Sequence, residues 1–151
     1  MGILAIIVVS LIALYYLTVY GIPAFRRKTR GRNVVFKTPQ EIDADLKAKK
    51  DILLIDIRSE VDFYGMFGHI DGAVSLPYGV LRARLTQAAD SLAGFRDTPI
   101  VLTGLSQEKE LYDALDVLKQ KGFSNVALLD KSIAGWLRAG FPTVEKNVRK
   151  V

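Results

Sequence analysis

Four side chains near the first third of the chain, Asp56, Asp62, His69 and Asp71, are of types that could do hydrolytic or hard-metal chemistry. Carboxylates bind magnesium or calcium, and a His–Asp pair can move a proton. A second group lies between Gly104 and Glu110, where Ser106 and the carboxylates of Glu108 and Glu110 surround Lys109. What is missing narrows the chemistry further. The chain has no Cys and one His, which excludes disulfides, persulfides, thiolate zinc sites and any attack through sulfur. It also leaves no histidine-rich metal site, and neither a metal nor a cofactor is expected.

The elements that must position these residues can be read from hydrophobic period and caps. Thr38, Pro39 and Glu41 read as N-cap, first helical position and capping-box partner of a helix running to about Lys49. Unbroken apolar runs at Ile52 to Ile55, Ile100 to Leu102 and Val126 to Leu129 fit strands covered on both faces. Between the last two, Leu111, Ala114, Leu115 and Leu118 recur at helical spacing, closed by Lys119, Lys121 and Gly122. Ser59 and Asp62 read as a further helix start. Ser132 reads as the cap of a final short helix carrying Ile133, Trp136 and Leu137, with Gly140 and Pro142 as its stop. Short strands alternating with helices predict an α/β domain with a mainly parallel sheet. Sites in such sheets gather at the carboxyl ends of strands, here near Asp56, Gly104 and Asp130.

The charge is concentrated in one place. No charged residue precedes Arg26, and Arg26, Arg27, Lys28, Arg30 and Arg32 follow at once. Taking those five from the 21 Lys and Arg leaves 16, equal to the 16 Asp and Glu, so the net +5 belongs to this tract. A nucleic-acid-coating surface is therefore not expected. Residues Ile3 to Ile22 are apolar on every side, and twenty residues of helix extend ~30 Å, the thickness of a hydrocarbon core. The reading is an anchor over 1–25, a basic juxtamembrane linker over 26–33 and a domain over 34–151. Positive charge after the apolar run, next to Tyr15, Tyr16 and Tyr20, argues against a cleaved signal peptide. It predicts an outside N-terminus and a cytoplasmic domain, with the bilayer as partner.

Leu54-Ile55-Asp56-Ile57-Arg58, then Gly68-His69-Ile70-Asp71-Gly72-Ala73 and Leu76-Pro77, resembles the rhodanese-like family. The resemblance continues through Pro99 to Leu102, Gly122-Phe123, Ile133-x-x-Trp136 and Gly140-Phe141-Pro142, covering nearly all of 34 to 145. It implies a five-stranded, mainly parallel sheet flanked by helices, and a structural role for Asp56, Arg58, Gly68, His69, Gly72 and Trp136. It also implies an ancestral reaction that passes sulfane sulfur through a loop cysteine after the central strand. That position is Gly104 when counted from the strand and Leu105 when counted back from Gly122. Neither is a nucleophile. The loop Gly104, Leu105, Ser106, Gln107, Glu108, Lys109, Glu110 is thus a degenerate active-site loop. Lys131 and Ser132 stand where the family has paired glycines. The expectation is a membrane-anchored, catalytically inactive interaction or accessory module of a membrane complex. An anion-binding sensor and a hydrolase that works without sulfur are the alternatives.

Overall fold

The computed structural model describes residues 2–106 and 108–144, and the chain divides into two compact units, Met1–Asn33 and Val34–Val151. The first unit is one continuous helix, Ile3–Arg30. Its parts are α1 (Ile3–Tyr16), a π-helical turn (Leu17–Gly21) and α2 (Ile22–Arg30). The wide turn lies just ahead of Pro23, which has no N–H to offer the carbonyl four residues back, so the ladder is adjusted there. Thr18 Oγ1 donates to the Leu14 and Tyr15 carbonyls, each at 3.0 Å, and Tyr16 stacks on Tyr20. None of its apolar stretch is buried in protein, and by length and composition it can cross a membrane. The helix does not stop at the basic tract. Arg26 to Arg30 form its last turns, so most of the basic juxtamembrane tract is helical. Arg and Lys favour helix, and no breaker occurs before Gly31.

The second unit holds a five-stranded sheet of β1 (Val35–Lys37), β2 (Leu53–Asp56), β3 (Val74–Ser75), β4 (Ile100–Thr103) and β5 (Val126–Leu129). The strand order is β1-β5-β4-β2-β3 and all pairings are parallel. Successive residues of a strand point to opposite faces, so each apolar run feeds two cores. One face joins Ile55, Ile100, Leu102, Val126 and Leu128 to Leu81 and Leu85 of α5 (Tyr78–Gln87), and to Leu111, Leu115 and Leu118 of α6 (Lys109–Gln120). The other joins Leu54, Val101, Ala127 and Leu129 to Ile42 of α3 (Pro39–Lys47) and to Ile133 and Trp136 of α7 (Ser132–Arg138). Burial on both faces is why these strands show no polar alternation.

The caps follow the sequence with one exception. Thr38 Oγ1 accepts from the Glu41 N–H at 3.2 Å, while the Glu41 carboxylate accepts from the Thr38 N–H at 2.7 Å. This capping box holds the Glu41 carboxyl below the usual range, chiefly through the Thr38 backbone N–H. Helix α3 ends at Lys47, two residues before the expected end, and Lys49 turns left-handed. Ser59 caps α4 (Glu60–Phe63) by accepting from the Asp62 N–H at 3.1 Å. Ser132 is the exception. It is the first residue of α7, not its N-cap, and makes no capping bond there. Its hydroxyl is used elsewhere.

Candidate functional site

The carboxyl ends of β2 and β4 lie side by side, with Asp56 in register with Thr103. At the end of β2 the Asp56 carboxylate is fully buried. Its Oδ2 accepts from Arg58 Nη2 at 2.6 Å, and its Oδ1 accepts from Arg58 Nε and from the Arg58 backbone N–H, each at 3.0 Å. The same guanidinium continues to the Gly68 carbonyl at 2.7 Å and the Asp62 carbonyl at 3.4 Å. Gly68 adopts φ +60, and a Cβ there would meet the Val144 carbonyl oxygen at 2.6 Å, so this turn requires glycine.

His69 is buried in the turn that follows. Its Nδ1 lies 2.9 Å from the Phe63 carbonyl, which can only accept, so Nδ1 carries the hydrogen. The ring stacks on Phe63 at 3.7 Å between centroids. Asp62 accepts from the Ser59 hydroxyl at 2.7 Å, and Asp71 is exposed. Among the described residues, no group of three or more His, Asp or Glu could hold a metal ion. Gly72 turns at φ +80, and Trp136 Nε1 donates to the Pro142 carbonyl at 2.9 Å.

At the end of β4, Thr103 and Gly104 are buried and the chain then emerges. The Gly104 N–H donates to Ser132 Oγ at 3.2 Å. In return, the Gly104 and Leu105 carbonyls accept from the Ile133 and Ala134 N–H groups at 3.2 and 3.0 Å. The loop thereby caps the first turn of α7, whose orphan donors need such partners. Ser132 serves as a loop anchor, 28 residues away in sequence. Lys131 and Ser132 both adopt left-handed backbone, at φ 58 and 53. The shape suited to glycines is kept without them.

The Glu108 side chain folds back over the loop. Its Oε1 accepts from the Leu105 N–H at 2.9 Å, and its Oε2 accepts from the Ser106 N–H at 2.7 Å and the Ser106 hydroxyl at 3.1 Å. An ideal Cβ built on Gly104 would overlap Glu108 Oε1. A carboxylate thus occupies the space that a side chain on residue 104 would need. Glu110 is exposed in the first turn of α6. The loop's cation turns away from this group: Lys109 Nζ pairs with Asp113 at 2.6 Å, which raises the Lys109 pKa. Leu105 and Ser106 are exposed, and Gln107 lies outside the described residues, as do 145–151 at the expected end of the domain. An open cavity of about 310 Å³ lies beside α3 and α7 between Thr38, Asp130, Lys131 and Arg138, at one of the three strand ends singled out from the sequence, and not over Gly104.

A five-stranded parallel sheet, an Asp-x-Arg strand end wired to a Gly-His-Ile turn, and a loop into a helix after the central strand define one class. Residues 38–139 match the family model of the rhodanese-like domain, and the chain belongs to that family. The Escherichia coli K12 protein YibN is 27% identical over 96 residues, 64% of this chain, and the match spans 63% of YibN's own length. Among solved structures, the thiosulfate sulfurtransferase from Pseudomonas aeruginosa superposes with a TM-score of 0.61 at 32% identity, over 74% of this chain and 20% of that one. The Rhodopseudomonas palustris protein RPA3614, titled a possible tyrosine phosphatase, gives a TM-score of 0.64 at 19% identity, covering 81% and 93%. At that identity the likeness speaks for fold alone. This chain is a rhodanese scaffold without cysteine, preceded by a helix able to cross a membrane.

Proposed function

We propose that this is a single-pass membrane protein whose rhodanese-like domain is catalytically silent and acts as an interaction or accessory module of a membrane complex. The observation that carries the reading is the loop after β4, where Gly104 faces the Glu108 carboxylate in place of a thiol. Sulfur transfer requires a thiolate that becomes a persulfide. A methionine thioether or the Ser106 hydroxyl cannot substitute for it. Glu108 also argues against a resident anion sensor, because the loop amides already hold a negative group.

The surface supports the interaction half of the reading. Val61 and Met66 are 82% and 81% exposed, with Tyr64 and Phe67 exposed alongside them in one short segment, and Leu105 is 48% exposed on the loop. Large apolar side chains grouped in this way are the anchors from which protein interfaces are built. Confinement to a membrane raises the effective concentration of such a surface around membrane partners. The basic tract Arg26, Arg27, Lys28, Arg30 and Arg32 favours a cytoplasmic domain and an outside N-terminus.

Two measurements test this on the full-length chain in its membrane. Purified protein should transfer sulfur from thiosulfate to cyanide no faster than a buffer control. Photo-crosslinkers placed at Val61, Met66 and Leu105 should capture one reproducible membrane partner that a crosslinker at the exposed Lys119 does not. Catalytic turnover of labile sulfur, or an identical crosslinking pattern from all four positions, overturns the proposal.

A further inference from the structure

The β4 loop is closed by a specific side chain, beyond merely lacking a nucleophile. We infer that Glu108 is a built-in lock: its carboxylate is the tethered anion that satisfies the loop amides and fills the volume over Gly104, so residues 104 and 108 form one mutually exclusive pair.

Three acceptor contacts converge on this carboxylate, from the Leu105 N–H, the Ser106 N–H and the Ser106 hydroxyl. Adjacent amides aimed at one point form a concave nest suited to an anion. A carboxylate two to three residues along the chain reaches that nest at little entropic cost, because the loop it closes is minimal. The Glu108 backbone carbonyl meanwhile accepts from the Leu111 N–H at 3.2 Å. One residue therefore starts α6 with its backbone and shuts the loop with its side chain. Gly104 is the other half of the pair. Its backbone is not left-handed, so alanine is conformationally acceptable there, and the obstacle is the Glu108 carboxylate alone. A methyl group at 104 must expel that carboxylate, which sits at the movable end of its side chain. The β4 end of the loop stays fixed through Ser132 and α7. The lock therefore governs the Leu105 and Ser106 amides and leaves the body of the domain alone. It holds whether or not a partner docks on the loop, since it depends only on contacts within the chain.

The test is amide hydrogen exchange by NMR on the full-length chain in detergent micelles. Glu108→Ala removes the acceptor, and Gly104→Ala leaves it present but displaced. Both should speed exchange at Leu105 and Ser106 by about tenfold, as expected for losing a bond to a charged acceptor. The double variant should be no faster than either single one, because the two changes break the same contact. Inorganic sulfate should shift those two amides in Glu108→Ala and not in the wild-type chain. Glu108→Gln supplies a check on charge, as one of its two terminal atoms turns from acceptor to donor and should repel an amide. Unchanged exchange in both single variants overturns the lock, as do additive effects in the double variant or equal sulfate response in wild type and Glu108→Ala. Crosslinking to a partner would be unaffected by any of these outcomes, so failure of the lock and failure of the interaction proposal are separate.

Discussion

Two loops leave neighbouring strands at the same end of the sheet, and each is organised by one carboxylate. After β2, Asp56 is fully buried and commits its oxygens to Arg58, whose guanidinium then ties down backbone carbonyls at Asp62 and Gly68. After β4, Glu108 is partly accessible and binds the amides of its own loop. The first carboxylate connects segments that would otherwise separate. The second fills a space that would otherwise be open. The difference separates two demands on a rhodanese scaffold: the groups that hold its turns together act through backbone partners and do not need the reactive side chain, while the loop that would carry that chain tolerates rewriting as long as its carbonyls still reach α7.

Breaking the first loop should therefore cost far more than opening the second. Asp56→Ala leaves the Arg58 guanidinium, 4% exposed, without its counter-charge. Loss of one partner from a buried pair costs about 3–5 kcal/mol. Glu108→Ala should cost under about 1.5 kcal/mol, because water can replace the carboxylate at an exposed loop. Urea unfolding followed by fluorescence of Trp136, the single and buried tryptophan, reads both. Equal costs would mean that the second loop is as structural as the first.

How far each loop could be read from sequence differs for the same reason. The Asp-x-Arg pair and its glycine turn are local, with Asp56 and Arg58 two residues apart, and the continuous strands announced burial on both faces. Thr38, Glu41 and Ser59 also cap where their types predict. Ser132 misleads because serine is a preferred N-cap, yet its hydroxyl is claimed by the Gly104 N–H from a distant strand end. No spacing rule reports a bond across 28 residues. The two acids of the β4 loop were legible in the sequence, but only the fold distinguishes Glu108, which turns inward, from Glu110, which stays exposed. The helical basic tract shows the same limit: its charges signal an interface, whereas its helicity comes from continuing the turns before it.

The left-handed pair behind the β4 loop sharpens the comparison with a smaller effect. Lys131 is exposed at φ 58, a conformation that costs a side-chain-bearing residue about 1–2 kcal/mol relative to glycine. Lys131→Gly should stabilise the domain by about 1 kcal/mol in the same urea assay. Ser132→Gly relieves similar strain at φ 53 but removes the acceptor of the buried Gly104 N–H, and an unsatisfied buried donor costs about 1–3 kcal/mol. It should yield no gain. A gain from Ser132→Gly as large as that from Lys131→Gly would show that the loop does not rely on this anchor.

A third carboxylate, on α3, supplies the mildest test, because it is buried but its lysine partners reach the solvent. Asp45 accepts from Lys37 Nζ at 2.7 Å and Lys50 Nζ at 2.6 Å, and these hydrogen bonds, Lys37 first, hold its pKa below the ordinary aspartate value. Glu41 is lowered on the same helix. A carboxyl group depressed in the folded state stabilises fully above its unfolded pKa, and that contribution disappears as pH falls through the lower folded value. The advantage of wild type over Asp45→Asn in urea should therefore be present at neutral pH and shrink below about pH 4. The lysines are 31% and 63% exposed, so salt should reduce the same advantage at neutral pH, whereas the buried Asp56 pair should resist it. A salt-insensitive Asp45 effect that is as large in acid as at neutrality would mean that this residue, itself buried, matters for packing, and that the exposure of its lysine partners does not distinguish it from the carboxylate after β2.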